Sequence, residues 1–270
     1  MAKIYQLDKI LVANTVYTME ADRYFVIKKL GTNVSADTVP KVDGVPCGKI
    51  IDVLAPLHKT TSNFLGPLDL GMKYIVVPPN RKLSFESTGS GKVRIIGDLV
   101  VLAPGENLLP EHAARYAVQG NDYITHLLGS YTIAGGASWP ADVEYTVLSL
   151  TPATIEEYIL KHFVGASIAN LSAALAEGQV GIRFYLDGVP LDQIMSTPGQ
   201  FGVDALSMPL PPAGSTEMLG FTLENYPIDL LGDHTLEIKA RNTSGGALSP
   251  ATGTNITITI RALANYLKKV

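Results

Sequence analysis

Apolar and polar residues alternate along much of this chain, in short runs that end at Gly or Pro. Over the first hundred residues the pattern predicts strands at Ile10–Met19, Tyr24–Lys29, Lys49–Ala55, Lys73–Val77, Lys82–Ser87 and Val93–Leu102. The last of these is aliphatic on both faces apart from Arg94 and Asp98, as expected of a strand between two layers or at an interface. Many short strands without a convincing helix predict an antiparallel sandwich or jelly roll.

The middle of the chain, residues 106–140, has a different pattern. The run Pro110–Val118 predicts a short helix, because Pro suits the first helical position and Gly120 can end it. Tyr123–Ile133 predicts another strand. A Gly-rich stretch follows it, and the whole segment is interpreted as a connection between two domains.

The second half opens on an alternating strand, Val143–Leu150, and then shows helical spacing. Apolar and aromatic positions recur at three and four residues, which predicts an amphipathic helix with a second helical segment at Ile168–Ala176. The positions that carry this spacing are Ile155, Tyr158, Ile159, His162 and Phe163. Strands resume afterwards, at Val180–Leu186, Val189–Leu191, Phe221–Leu223, His234–Arg241 and Asn255–Ile260. Asp187-Gly188 is typical of a hairpin turn.

These patterns together predict a mainly β protein with two β-sandwich or jelly-roll-like domains and one or two short helices in the second. The expected domains are an N-terminal sandwich over residues 1–105, a connecting segment over 106–140, and a C-terminal sandwich over 141–270. The helical insertion is expected near residues 153–177. No internal repeat of fixed period is visible.

The low fraction of charged residues indicates a protein that assembles with others rather than a free monomer. Charged residues make up 17% of the chain, against about 25% in typical soluble proteins. Mean hydropathy is +0.19, which leaves little surface for the charged coat that keeps monomers apart. The net charge of −4 argues against direct binding of nucleic acid. We therefore expect surface that is buried against other protein.

No motif in the sequence indicates catalysis. Phosphate-binding glycine loops, the nucleophile elbow and the zinc-protease pattern are missing, and no two of the five histidines lie within four residues of each other. Cys47 is the single cysteine and is expected to be a small buried apolar residue. We expect no catalytic, cofactor or metal site and no enzyme activity, although a hydrolase site assembled from distant residues stays an alternative.

Membrane insertion and secretion are not expected either. Lys3, Asp8 and Lys9 interrupt the N-terminal apolar pattern, so it does not resemble a signal peptide. The longest uncharged windows are rich in Gly, Ser, Thr and Pro, and no transmembrane segment is predicted. The chain is expected to be made in a host cytoplasm.

Apolar residues in two Pro- and Gly-containing stretches are the candidate partner contacts. They are Phe64, Leu65, Leu68, Leu206, Met208 and Leu210. Apolar loops in a charge-poor protein indicate contacts with neighbouring subunits. The alternative is that these side chains cover the ends of their own sandwich.

In style the whole chain resembles virion structural proteins built from jelly rolls or β-sandwiches, of the penton, turret, spike, decoration or tail-adaptor type. The resemblance rests on Val77-Pro-Pro79 and Ala103-Pro-Gly105, on two strand-rich blocks and on few charges, and on no diagnostic motif. It implies a homo-oligomer, such as a ring or trimer, that joins other structural proteins in the virion and acts in viral assembly without catalysis.

A carbohydrate-binding or adhesin-type sandwich module is the alternative from another class. Its candidate sugar-stacking side chains are Trp139, Tyr116, Tyr123 and Tyr131. They cluster around the connecting segment, where packing of a linker against the sandwiches explains them equally well. On this reading a glycan is a possible partner.

Overall fold

The computed structural model of the chain describes residues 2–34, 37–50, 68–173, 175, 179–191, 203–204, 221–223 and 227–269. Over these residues the predicted fold class is confirmed: the protein is mainly β, with four antiparallel sheets and one short α-helix. The chain divides into two compact units. The first unit is Met1–His126 with Asn265–Lys269, and the second is Leu127–Ala264.

The first unit contains nine of the strands. They are β1 Lys3–Val12, β2 Val16–Thr18, β3 Arg23–Thr32, β4 Thr38–Val42, β5 Val45–Pro46, β6 Leu68–Asp69, β7 Ile75–Val77, β8 Lys82–Ser87 and β9 Lys92–Val101. One sheet has the order β1-β9-β3-β6, with β7 also on β3, and the other has the order β2-β8-β4-β5. The pairs β1–β9, β2–β8, β3–β6/β7 and β4–β5 are nested, like one long hairpin rolled up. This is the topology of a jelly roll.

Alternation along these strands builds the core of the first unit. In β8 the buried Leu83 and Phe85 alternate with exposed or half-exposed neighbours. They pack with Val93 and Ile95 of the other sheet in one apolar cluster. Because the two sheets share this cluster, the first unit is a sandwich with this cluster as its main core.

A short 3-10 turn, Gly71–Lys73, and one helix, α1 Pro110–Val118, complete the first unit. The helix is the one predicted from the sequence, with Pro110 at its start and Glu111 in its first turn, where the helix dipole favours an acidic residue. Its Tyr116 packs on a small apolar cluster around Tyr24 and Val26 of β3.

The second unit has the same strand order as the first. Its strands, of which β10 and β19 extend beyond it, are β10 Asp122–Ile133, β11 Glu144–Leu150, β12 Glu156–Ala169, β13 Val180–Leu186, β14 Val189–Pro190, β15 Val203–Asp204, β16 Phe221–Thr222, β17 Ile228–Leu230, β18 Leu236–Asn242 and β19 Ile256–Lys268. The sheets run β10-β19-β12-β16/β17 and β11-β18-β13-β14/β15, so the nested pairing recurs. The chain therefore holds two jelly rolls, related by topology rather than by a sequence period.

The helical insertion predicted near residues 153–177 is wrong. The described residues of that segment form a turn and then the 14-residue strand β12, and none of them is helical. The buried residues Leu160 and Phe163 lie three apart, because the alternation of β12 is irregular between them. That irregularity imitates helical spacing, whereas tertiary pairing with β16 and β17 determines the structure.

The border between the units falls inside the segment expected to connect two domains. Residues 106–126, which include α1, belong to the first unit, and residues 127–140 belong to the second. Strands β4 and β5 lie between the predicted strands Tyr24–Lys29 and Lys49–Ala55, where the sequence pattern predicts no strand. The predicted hairpin at Asp187-Gly188 is confirmed, since both residues have positive φ and β13 pairs with β14.

Candidate functional site

The first unit exposes apolar side chains along one edge of its sandwich. Strand β1 pairs with β9 without interruption, from Lys3 opposite Val101 to Val12 opposite Lys92. Among the described strands β9 is its single partner, so β1 is an edge strand. Ile4 and Ile10 are each 59% exposed. Tyr5, Val12 and, on β2, Val16 are exposed as well.

Within the described part of the chain, one side of the β1 backbone has no strand partner. The amide of Ala13 donates to the carbonyl of Gly91, which continues the β1–β9 ladder. Odd-numbered residues of β1 therefore direct their backbone groups towards β9, and even-numbered residues direct theirs towards the open edge. The open row ends at Val12, whose amide donates to the Tyr17 hydroxyl at 2.8 Å.

Two charged residues lie in the middle of the edge. Asp8 accepts two hydrogen bonds from the Arg94 guanidinium, at 2.8 and 2.5 Å, and these bonds hold the pKa of its carboxyl below the usual range. Lys9 points to the other face, with its ammonium 6.0 Å from the Tyr17 ring and 5.8 Å from the Phe25 ring. Both contacts are within cation–π range.

An open cleft lies between β1 and β2, on the face of β1 that carries Lys9. Its volume is 340 Å³, and residues of β1, β2 and the floor strand β3 line it together. Carboxylates and cations are mixed in its lining, which includes Asp8, Glu20, Lys9 and Arg23. Such a cleft beside an open strand edge suits an extended chain better than a compact small molecule.

The opposite end of this sheet is supported by buried polar contacts from α1. The side-chain amide of Gln119 donates to the Val76 carbonyl at 3.0 Å and accepts from the Val76 amide at 2.8 Å, as a neighbouring strand would. Arg115 donates to the carbonyls of Tyr74 and Asp122. These hydrogen bonds fix the helix on β7. The buried polar contacts of Arg115 and Gln119 therefore have a structural role.

His112 belongs to the same support. It shares a 2.9 Å hydrogen bond with the Tyr24 hydroxyl, and its ring meets the rings of Tyr24 and Tyr74 edge to face. Burial lowers the pKa of His112, which favours the neutral imidazole. His112 therefore packs as a neutral side chain between the helix and the sheet.

One His–Asp pair lies on the surface of the second unit. His234 Nδ1 is 2.6 Å from Asp187 Oδ2, while Asp187 Oδ1 accepts the Thr235 amide at 2.8 Å. The hydrogen bond from the Thr235 amide lowers the pKa of Asp187 most, and the hydrogen bond from His234 lowers it further. Since Asp187 also occupies the positive-φ position of the hairpin turn, the pair closes the end of the β13–β14 hairpin on the loop before β18.

The aromatic residues considered for sugar stacking do not form an open platform. Trp139 is fully buried, and its indole N–H donates to the Val143 carbonyl at 2.8 Å. Tyr131 stacks on Tyr145 with ring centroids 4.3 Å apart. The remaining two are also packed: Tyr123 stacks on Tyr266, and Tyr116 is partly buried against the first unit's core. The predicted stacking role is therefore wrong for Trp139, because a sugar cannot reach it.

Among the residues that the structure describes, no group of three or more His, Cys, Asp or Glu side chains could hold a metal ion. No helix in the described part of the chain is long and apolar enough to cross a membrane.

Of the candidate partner contacts, Leu68 is the one that the structure describes. It lies in β6 opposite Leu30 and packs, half-buried, against the core of the first unit. Phe64, Leu65, Leu206, Met208 and Leu210 lie outside the described residues. The exposed edge of β1 was not among the predicted contacts. Its signal in the sequence is that Ile4, Gln6, Asp8 and Ile10, at every second position, place apolar and polar side chains together on one face of the strand.

Cys47 is expected to be unreactive in the folded protein. It is 3% exposed in the core of the first unit, and burial raises its pKa to about 11. At pH 8 only about one thiol in a thousand is then ionised, and the thiolate is the reactive form. A maleimide or disulfide reagent should label Cys47 rapidly when concentrated urea unfolds the chain. In buffer the same reagent should label Cys47 hardly at all. Complete labelling within minutes in buffer would contradict this burial.

Comparisons with known proteins do not place the chain in a family. No family model matches it, and no curated protein matches it in sequence. Solved structures that resemble it include the ANXUR1 extracellular domain from Arabidopsis thaliana, at 7% identity and a TM-score of 0.27, with 100% of this chain and 83% of that one covered. The turret protein A223 of Sulfolobus turreted icosahedral virus has 12% identity, a TM-score of 0.21 and coverage of 99% and 100%. N-glycanase F has 11% identity, a TM-score of 0.29 and coverage of 98% and 96%. At these TM-scores none of them bears on what the chain does.

Proposed function

We propose that this chain is a non-enzymatic structural subunit of a viral particle, as a capsid, decoration, spike or tail component. It assembles through β-rich, charge-poor faces. The observation that carries the proposal is the open edge of β1, where exposed apolar side chains flank Asp8 and Lys9. An edge strand with large exposed apolar side chains is a liability in a free monomer, and proteins normally shorten, charge or cover it.

The two jelly rolls and the low charge support the same function. Jelly rolls are common in viral capsid domains, where closed sandwiches leave their edges and loops to meet neighbours. Because a fold alone does not imply function, the exposed edge is needed to favour assembly. Lectins also use jelly rolls, but the buried Trp139 and the stacked tyrosines favour contacts with protein over contacts with sugar.

The mass of the purified full chain tests this function. We expect a closed oligomer, seen as a multiple of 28.8 kDa by light scattering and as a symmetric object by electron microscopy. Each interface should bury more than about 1,000 Å². The chain should also occur in stoichiometric amounts in virus particles from the organism that makes it. A stable monomer that binds a glycan on an array would contradict the proposal and support the lectin alternative.

A further inference from the structure

The open edge of β1 has a pattern that is complementary to itself. We propose that β1 pairs antiparallel with β1 of a second copy of this chain, across a two-fold axis at Leu7, and so joins two first units into one continuous sheet. This deepens the proposed assembly role by naming a partner and a register. It rests on the backbone direction, the side-chain pattern and the charges of β1.

The backbone groups that such pairing needs are available. The even-numbered residues Ile4, Gln6, Asp8 and Ile10 direct their amide and carbonyl groups to the open edge, and all of them are exposed. A two-fold axis perpendicular to the sheet matches even residues with even residues. About eight main-chain hydrogen bonds would then join the copies. The Tyr17 hydroxyl on the Val12 amide ends the ladder at that residue.

The side chains of β1 are complementary in the register that places Leu7 on the two-fold axis. With Leu7 on the axis, Ile4 lies opposite Ile10 of the partner subunit, and Gln6 lies opposite Asp8 of the partner subunit. Apolar residues thus cover each other on the outer face, and an amide meets a carboxylate. On the inner face Tyr5 lies opposite Lys9 of the partner subunit, an aromatic–cation pair beside the cleft.

Charge disfavours three neighbouring registers. Moving the axis to Asp8 places two carboxylates opposite each other, and moving it to Lys9 does the same to two ammonium groups. Moving it to Gln6 places Lys3 opposite Lys9 of the partner subunit. Directly opposed like charges destabilise paired strands. Asp8 and Arg94 keep their own ion pair in the Leu7-centred register, because Gln6 adds only a neutral amide.

Charge changes at Gln6 test the register by the sign of their effect. Each dimer contains the Gln6–Asp8 contact twice. In the full-length chain, Gln6→Lys should strengthen dimerisation about tenfold, and Gln6→Glu should weaken it about tenfold. Sedimentation equilibrium or mass photometry measures both. Met72, which is 83% exposed outside β1, supplies matched controls, since Met72→Lys and Met72→Glu should not shift the equilibrium in opposite directions.

A disulfide between different copies provides a second readout. Opposed residues of a hydrogen-bonded pair have Cα atoms about 5.5 Å apart, which a disulfide can bridge. A mixture of the Gln6→Cys and Asp8→Cys variants should form a heterodimeric crosslink, and each variant alone should form much less. Buried Cys47 should not compete.

The outcomes separate this pairing from the proposed function. Opposite shifts at Gln6, together with the mixed crosslink, support the pairing. If the chain forms a closed oligomer but both Gln6 variants leave it unchanged, or if the mixed crosslink fails, the pairing is wrong and the assembly role stands. A chain that stays monomeric at every concentration contradicts both.

Discussion

Replacing Gly97 with alanine should lower the free energy of unfolding of the first unit by about 3 kcal/mol. Gly97 lies in β9, between Leu7 of β1 and Ile27 of β3. A Cβ atom there would overlap the Val26 carbonyl oxygen and would come within 2.9 Å of the Lys28 amide nitrogen. Both obstacles are backbone in the middle of a sheet, so a side-chain rotation cannot relieve the overlap.

The cause of this close approach is a bulge in β3. Its register against β9 shifts between Ile27 and Lys29, which leaves Lys28 as an extra residue. The carbonyl before the bulge is pushed towards β9, and only glycine leaves room for it. The Lys28 ammonium then pairs with the Asp98 carboxylate at 2.7 Å.

Urea unfolding measures the effect on the first unit, with labelling of buried Cys47 as its probe. The Gly97→Ala variant should lose its protection at a lower urea concentration, with an unchanged slope. Met72→Ala is the control in the same unit, because Met72 is 83% exposed and its cost should stay under about 0.5 kcal/mol. An equally small cost at Gly97 would contradict the close contact with β3.

The strands with strict alternation were predictable from the sequence. Lys82–Ser87 appears in the structure with the predicted bounds, with Leu83 and Phe85 buried. The isoleucines of Asn255–Ile260 face inward as expected, although β19 continues to Lys268. Local pattern was sufficient in these places, because one buried face imposes a period of two.

Where local pattern was ambiguous, tertiary pairing decided the structure. Ile155, Tyr158, Ile159 and Phe163 have helical spacing, yet they are β-branched or aromatic residues, which favour strands. That composition was the available signal for β12. The order of the strands within each sheet could not be predicted in the same way. It depends on pairs such as Lys3 and Val101, which are far apart in the sequence.

The candidate site was harder to predict than the fold. In the sequence Lys3, Asp8 and Lys9 are visible only as breaks in an apolar run. Their meaning depends on β1 being an edge strand, which follows from the order of the whole sheet. By contrast, the charge deficit could be read directly, since bulk composition does not depend on topology, but it does not indicate which strand is exposed.

Replacing Trp139 with leucine should destabilise the second unit by about 4 kcal/mol. The indole is fully buried in the main core of that unit, 6.0 Å from the Tyr145 ring. Its backbone exchanges two hydrogen bonds with Leu248, at 2.8 and 2.9 Å, and its carbonyl accepts a hydrogen bond from the side-chain amide of Asn242 at 2.8 Å. Leucine would keep these main-chain bonds but would leave a cavity and remove the bond to the Val143 carbonyl.

Graded variants separate the volume of the indole from its hydrogen bond. Trp139→Phe fills more of the space than leucine and loses the same N–H donor, so its cost should be about 2 kcal/mol. Val189→Ala, at a 63% exposed position of the second unit, should change stability by less than about 0.5 kcal/mol. Urea unfolding followed by circular dichroism gives these values.

The wild-type chain provides an independent check, because Trp139 is its only tryptophan. Its fluorescence should be shielded from iodide or acrylamide in buffer and should become quenchable as the second unit unfolds. Strong quenching in buffer would mean that the indole meets solvent. In that case the stacking role considered for Trp139 in sugar binding would return, and the preference for a protein partner over a glycan would lose one of its supports.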